Sequence, residues 1–178
     1  MPEYADVYAI GGERTERAIT EFLDCFLSSR AESADEYEVP QYSDSPTIVY
    51  TKASDLIRHC CTNQKEVHAI YWRSNEEPEH AMVFFLADGG VILGISAPAG
   101  NSERVDEIAS DLERYIGSDN IFITYEDTPP ESTQEFYALL NSLDSDPDEL
   151  ARETRVHRRI RGEQSGQPEP PITPDFKS

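Results

Sequence analysis

Three groups of side chains in this sequence have types and spacings that could do chemistry. His59, Cys60 and Cys61 are adjacent metal-capable residues, but successive helical residues point about 100° apart. Three neighbours therefore cannot converge on one ion, and no second Cys or His pair lies at zinc-site spacing. Asp144, Asp146 and Asp148 have the alternation that opens a calcium loop, yet Glu149 stands where its turn glycine belongs and Arg155 where its bidentate Glu belongs. They read instead as the start of a helix near Pro147, with carboxylates at the positive end of its dipole. His68 and Trp72 share one face of a strand-like run, where a histidine and an indole could line a pocket mouth, and Arg73 beside them could bind a carboxylate.

Two strand-to-helix turns, Gly11-Gly12-Glu13 and the run from Ala97 to Ser102, are places where backbone amides could hold an anion. Neither has the glycine spacing of a nucleotide-binding loop, and Glu13 and Glu16 compete with an anion at the first. Asn101 and Ser102 make the better ligand turn. Together with His68, Trp72 and Arg73 they form the candidate small-ligand site. Cys25 flanks the apolar face of a helix and is expected to be buried rather than nucleophilic, because acidic surroundings raise a thiol pKa. Spacing specifies no catalytic triad, no metal site and no cofactor.

The elements that must position these residues follow from hydrophobic periodicity. Tyr4–Ile10 reads as a strand ending at Gly11-Gly12. Ala18, Ile19, Phe22, Leu23, Phe26 and Leu27 make the stripe of a core helix. Residues 29–46 are polar and acidic and read as an exposed loop in which Tyr37–Val39 pairs briefly, and Thr47–Thr51 reads as a short strand. Ser54 is positioned to cap a second helix carrying Ala53, Leu56, Ile57, Cys60 and Cys61 on its apolar face. Val67–Arg73, Ala81–Ala87 and Val91–Ser96 form an antiparallel meander, since their connections are short. The middle run is apolar on both alternating sets, which predicts a central strand covered on both sides.

A helix over Val105, Ile108, Ala109, Leu112, Tyr115 and Ile116 stops at Gly117, and Ile121–Glu126 is a further strand. Thr128-Pro129-Pro130-Glu131 has the residues of a capping box ahead of a last core helix. The expected fold is α+β: a layered sandwich in the order β-α-β-α-β-β-β-α-β-α, with a mixed, mostly antiparallel sheet and helices packed on it. Residues 1–144 form the domain. Residues 145–161 are expected as a basic helix and 162–178, with four prolines, as a disordered tail.

Charge limits the function classes. The 178 residues carry 15 basic and 35 acidic side chains, a formal charge of −20. Through Ala151 there are 31 acidic and 9 basic residues; from Arg152 onward, 4 acidic and 6 basic. An anionic body repels phosphate backbones, so direct nucleic-acid binding by it is not expected. The same field steers basic partners inward. No stretch is apolar enough for a membrane span, the first residues lack signal-peptide features, and the three cysteines suit a cytoplasmic location.

The leading expectation is therefore a non-catalytic interaction module, of inhibitor or immunity type, that binds a basic protein surface. Glu76, Glu77 and Glu79, in the turn between two core strands, are candidate partner-binding residues. The alternative is a small-ligand-binding protein or enzyme using His68, Trp72, Arg73, Asn101 and Ser102. A predominance of Arg over Lys among the basic residues also suits a proteome adapted to high salt, which would explain the acidity without a partner. The basic tract Arg152–Arg161 leaves two readings open: contact with nucleic acid, or pairing with the acidic body within the chain or across a homodimer.

Overall fold

The structure, a computed structural model, describes residues 3–125, 127–145 and 156–157. Strand β1 (Tyr4–Ile10) ends at Gly11 and Gly12, whose φ angles of 136° and 93° suit only glycine. Helix α1 (Glu16–Phe26) follows at once, with the Thr15 hydroxyl accepting from the Ala18 N–H at 3.2 Å. Residues 29–46 are more structured than the expected loop. They hold β2 (Arg30–Glu32) and β3 (Tyr37–Val39), which pairs with β4 (Ile48–Tyr50) in a small second sheet. Burial of Tyr37 and Val39 in the core supplies the order that polar local sequence does not.

Helix α2 (Ala53–Thr62) is not capped by Ser54. Its first N–H, on Ala53, donates at 2.9 Å to the Glu32 carboxylate, which also accepts from the Tyr37 hydroxyl at 2.9 Å. A remote carboxylate thus satisfies the positive helix end and ties β2, β3 and α2 together. The meander β5 (His68–Ser74), β6 (His80–Phe85) and β7 (Val91–Pro98) leads to α3 (Ser102–Ile116), capped by Asn101 and stopped by Gly117 at φ 69°. After β8 (Ile121–Thr124) comes α4 (Thr133–Ser145). That helix starts later than the Thr128 capping box predicts: Ser132 accepts from the Glu135 N–H at 3.2 Å.

The fold is α+β, and every described strand pairing is antiparallel, so the mixed sheet allowed for above has no parallel pair among the described residues. The large sheet has the order β2-β5-β6-β7-β1-β8-β9, where β9 is Val156–His157. This strand corrects the helix expected over 145–161 at those two positions, because the open edge of β8 offers backbone partners to a segment led by β-branched valine. The rest of that segment beyond Ser145, and the tail 162–178, lie outside the described residues.

One sheet face carries Val7, Ile70, Val83, Phe85 and Leu93 against Phe22 of α1, Leu56 of α2 and Leu112 of α3. The other carries Tyr8, Met82, Ile92 and Phe122 against Phe136, Leu140 and Leu143 of α4. The middle strand is covered on both sides, as its double apolar pattern predicts.

Arg14 sits where these elements meet and is only 8% exposed. Its Nε donates to Cys60 O at 2.9 Å, Nη1 to Leu86 O at 2.7 Å, and Nη2 to Asn63 O at 3.1 Å and Glu66 O at 2.7 Å. The guanidinium also stacks 5.0 Å from the Phe85 ring centre. Burial lowers its pKa, but an arginine stays charged, so four carbonyl dipoles serve as its counter-charge. Asp88 does similar work at the β6–β7 turn. Its carboxylate accepts from Gly90 N at 3.0 Å and Thr133 N at 2.7 Å, joining that turn to α4; burial raises its pKa, and these donors outweigh burial and hold it low.

Gly94 is fixed by close approach. A β-carbon there would stand 2.8 Å from the Tyr8 ring, inside the sheet. Gly94→Ala is expected to cost about 1–3 kcal/mol through overpacking. Gly100→Ala, where a β-carbon meets nothing within 4 Å, should change stability by less than about 0.5 kcal/mol. Urea unfolding of both variants checks this, and equal midpoints would contradict the packing.

Candidate functional site

The residues expected to form a ligand site are dispersed. His68 pairs in register with Phe85 and so lies at the sheet end where β6 leads to Val91. Asn101 and Ser102 follow Pro98 at the opposite end of β7. Trp72 is 3% exposed in the core under the helices, and Arg73 points the other way and is exposed. The Asn101 side chain is spent on the helix cap, accepting from Arg104 N at 3.2 Å. Alternation was read correctly along β5, but a shared strand face here means a shared core.

The acidic turn between β5 and β6 divides in two. Glu76 and Glu77 are exposed, with their N–H groups donating to the Ser74 hydroxyl at 3.2 and 3.1 Å. Glu79 is 6% exposed and takes a bidentate pair from Arg104, Nε to Oε1 at 2.6 Å and Nη2 to Oε2 at 3.1 Å. It is a structural carboxylate rather than a docking residue. The sequence held the signal: Glu79, Ala81, Val83 and Phe85 alternate onto the helix-covered face. The pair raises the Arg104 pKa, its hydrogen bond to Glu79 being the largest contribution.

Other expectations resolve individually. Cys25 is exposed, not buried, because it falls on the flank of α1 rather than beneath it. Cys60 is buried, and burial pushes its thiol up to about 12, which removes it as a nucleophile at neutral pH. His59 is half-buried rather than an exposed neighbour: Nδ1 lies 3.1 Å from the Tyr50 hydroxyl and Nε2 3.6 Å from Glu66 Oε2. The second distance is too long for a hydrogen bond, and Nε2 has no hydrogen-bond partner among the described residues. Among the described residues no group of three His, Cys, Asp or Glu side chains could hold a metal.

The concavity beside β5 was not foreseen. A groove of about 310 Å³ runs between β5 and the β2–β3 loop with β3, lined by Glu36, Glu38, Gln41, Tyr42, His68 and Tyr71 among others. Gln41 fixes its floor by imitating a strand: its Oε1 accepts from Ala69 N at 2.8 Å and its Nε2 donates to Ala69 O at 3.1 Å. His68 closes the inner wall, with Nδ1 3.0 Å from Ala69 O and Nε2 3.0 Å from Glu38 O. A neutral ring donates to one of these carbonyls and only an imidazolium to both. Burial lowers the His68 pKa, and the two carbonyls oppose that by raising it. Tyr71 is 39% and Tyr42 84% exposed. Burial raises the Tyr71 phenol, with further contributions from nearby Tyr42 and Asp6.

No protein family, curated protein or solved structure matches this chain. Function is therefore argued from the geometry.

Replacing Arg104 with Met would leave the Glu79 carboxylate buried and unpaired, which should destabilise the fold by about 2–3 kcal/mol. The double variant Glu76→Gln with Glu77→Gln should stay within about 0.5 kcal/mol of the parent. Chemical denaturation of the two proteins tests the division of the turn; a neutral Arg104→Met would refute it.

Proposed function

We propose that the protein is a non-catalytic interaction module whose anionic body docks on a basic protein surface, as an inhibitor or immunity-type protein does. The observation that carries this reading is how the body's charges are used. Arg14 is consumed by backbone carbonyls in the interior. Arg17, Arg30, Arg58, Arg104 and Arg114 are each engaged by a carboxylate of the same molecule. Of the body's other basic residues, Lys52, Lys65 and Arg73 form no ion pair among the described residues.

Acidic side chains face water in each of these regions of the body. Glu13, Glu16, Glu21 and Asp24 flank α1; Asp35, Glu36, Glu38 and Asp44 surround the small sheet; Glu103, Asp106 and Glu107 lie on α3. A surface of one sign speeds encounter with an oppositely charged partner and repels phosphate backbones. Dispersal of His68, Trp72 and the Asn101 turn supports this reading over a composite small-ligand site at those residues.

The test is affinity capture on the full chain, followed by association kinetics with the recovered protein at increasing salt. The expected partner has a basic surface, and its association rate falls about tenfold from low to physiological ionic strength. Recovery of only acidic or salt-insensitive partners would overturn the reading. Unfolding of the protein itself as salt is withdrawn would instead assign the acidity to a high-salt environment, because self-repulsion would then require screening.

A further inference from the structure

The groove beside β5 combines three features that ordinary surface acidity does not need. Its walls are aromatic: Tyr42 and Tyr71 present ring surface to solvent, and the His68 ring closes the inner side. Its rim is anionic, since Glu36 and Glu38 are exposed and have no ion pair among the described residues, and no Lys or Arg lines it. Its shape is held from within by the paired Gln41–Ala69 hydrogen bonds and by the Glu38 carbonyl on His68.

Tyr42 adds an independent sign. It is the described non-glycine residue with positive φ, 60°, a left-handed conformation that a bulky side chain rarely adopts. The chain accepts this backbone while leaving the ring 84% exposed, so the conformation is not explained by burial of the side chain in the core. An exposed tyrosine lining a cavity with carboxylates at its rim suits a planar cation, which can stack on the ring while donating to the carboxylates.

We propose that this groove is the subsite that receives an arginine side chain from the basic partner, its guanidinium stacked against Tyr42 and Tyr71 and paired with Glu36 or Glu38. This rests on the reading of the protein as a module that binds basic protein surfaces, and it names the site. A volume of about 310 Å³ accommodates one such side chain. Lysine shares the charge but lacks the planar fork, so it should bind more weakly.

The experiment is an NMR titration of the full chain with a hexa-arginine peptide and, separately, a hexa-lysine peptide at low ionic strength. Expected are shifts of the Ala69 amide, the Gln41 side-chain amide and the Tyr42 ring, with the arginine peptide bound at least about threefold tighter. Tyr42→Asn keeps a residue suited to positive φ but removes the ring, and should weaken the arginine peptide at least about fivefold. Tyr42→Phe keeps the ring and should bind like the parent. Binding that shifts α1 or α3 instead, or that is equal in Tyr42→Asn, overturns the groove while leaving the wider reading intact. Failure of the parent to bind either peptide overturns both.

Discussion

A single buried cation ties three junctions of the chain together. Arg14 follows the glycine turn that ends β1, and its donors reach the C-terminal end of α2, the segment leading into β5, and the end of β6. Carbonyls at a helix end have no partner within the helix, so they must be satisfied from elsewhere. Arginine can do this for several at once, because its donors are planar, fixed and always charged. The two positive-φ glycines ahead of it make the turn from which the side chain enters the core.

The same economy runs outward through the molecule. Where a positive charge is needed for structure it is buried or paired, as with Arg14 under the β6–β7 turn and Arg104 on Glu79. Where carboxylates are needed for structure they cap or bridge: Glu32 at the start of α2, Asp88 at the start of α4. Most of the remaining acidic residues are left at the surface. Near β5 that surface is also concave and aromatic, which is the site proposed above for an arginine side chain of a partner. The groove depends on tertiary arrangement, since its walls come from a loop, a two-stranded hairpin and the edge region of the main sheet.

Periodicity made much of the fold legible. Helices α1 and α3, the meander and the doubly covered strand β6 could all be read from apolar spacing, because each buries a face wide enough to leave a pattern. Strands β2 and β9 could not, being two or three residues long and stabilised by their neighbours rather than by their own composition. The candidate site was read less well. His68 does line a groove, but beside Tyr42, Tyr71 and Gln41 rather than Trp72 and the Asn101 turn, and these come from segments that sequence spacing does not link. Trp72 was misread because strand alternation says which residues share a face and not whether that face is covered. Glu79 shares composition with its neighbours Glu76 and Glu77 in the turn, but alternation sets it on the inner face. The role of Arg14 leaves no signal in the sequence, because a single arginine after a glycine turn has no motif.

The most direct test is native-state hydrogen exchange on Arg14→Met compared with the parent, alongside urea unfolding. Methionine fills much of the same space but donates nothing, so it leaves four carbonyls without their shared donor. The account predicts a loss of at least ~3 kcal/mol. It also predicts faster exchange together at Asn63 and Glu66 after α2 and at Gly89 in the β6–β7 turn, whose amides are bonded to His59, Asn63 and Leu86 carbonyls respectively. Unchanged stability, or loosening confined to the β1–α1 turn while the other two segments keep their protection, would contradict it.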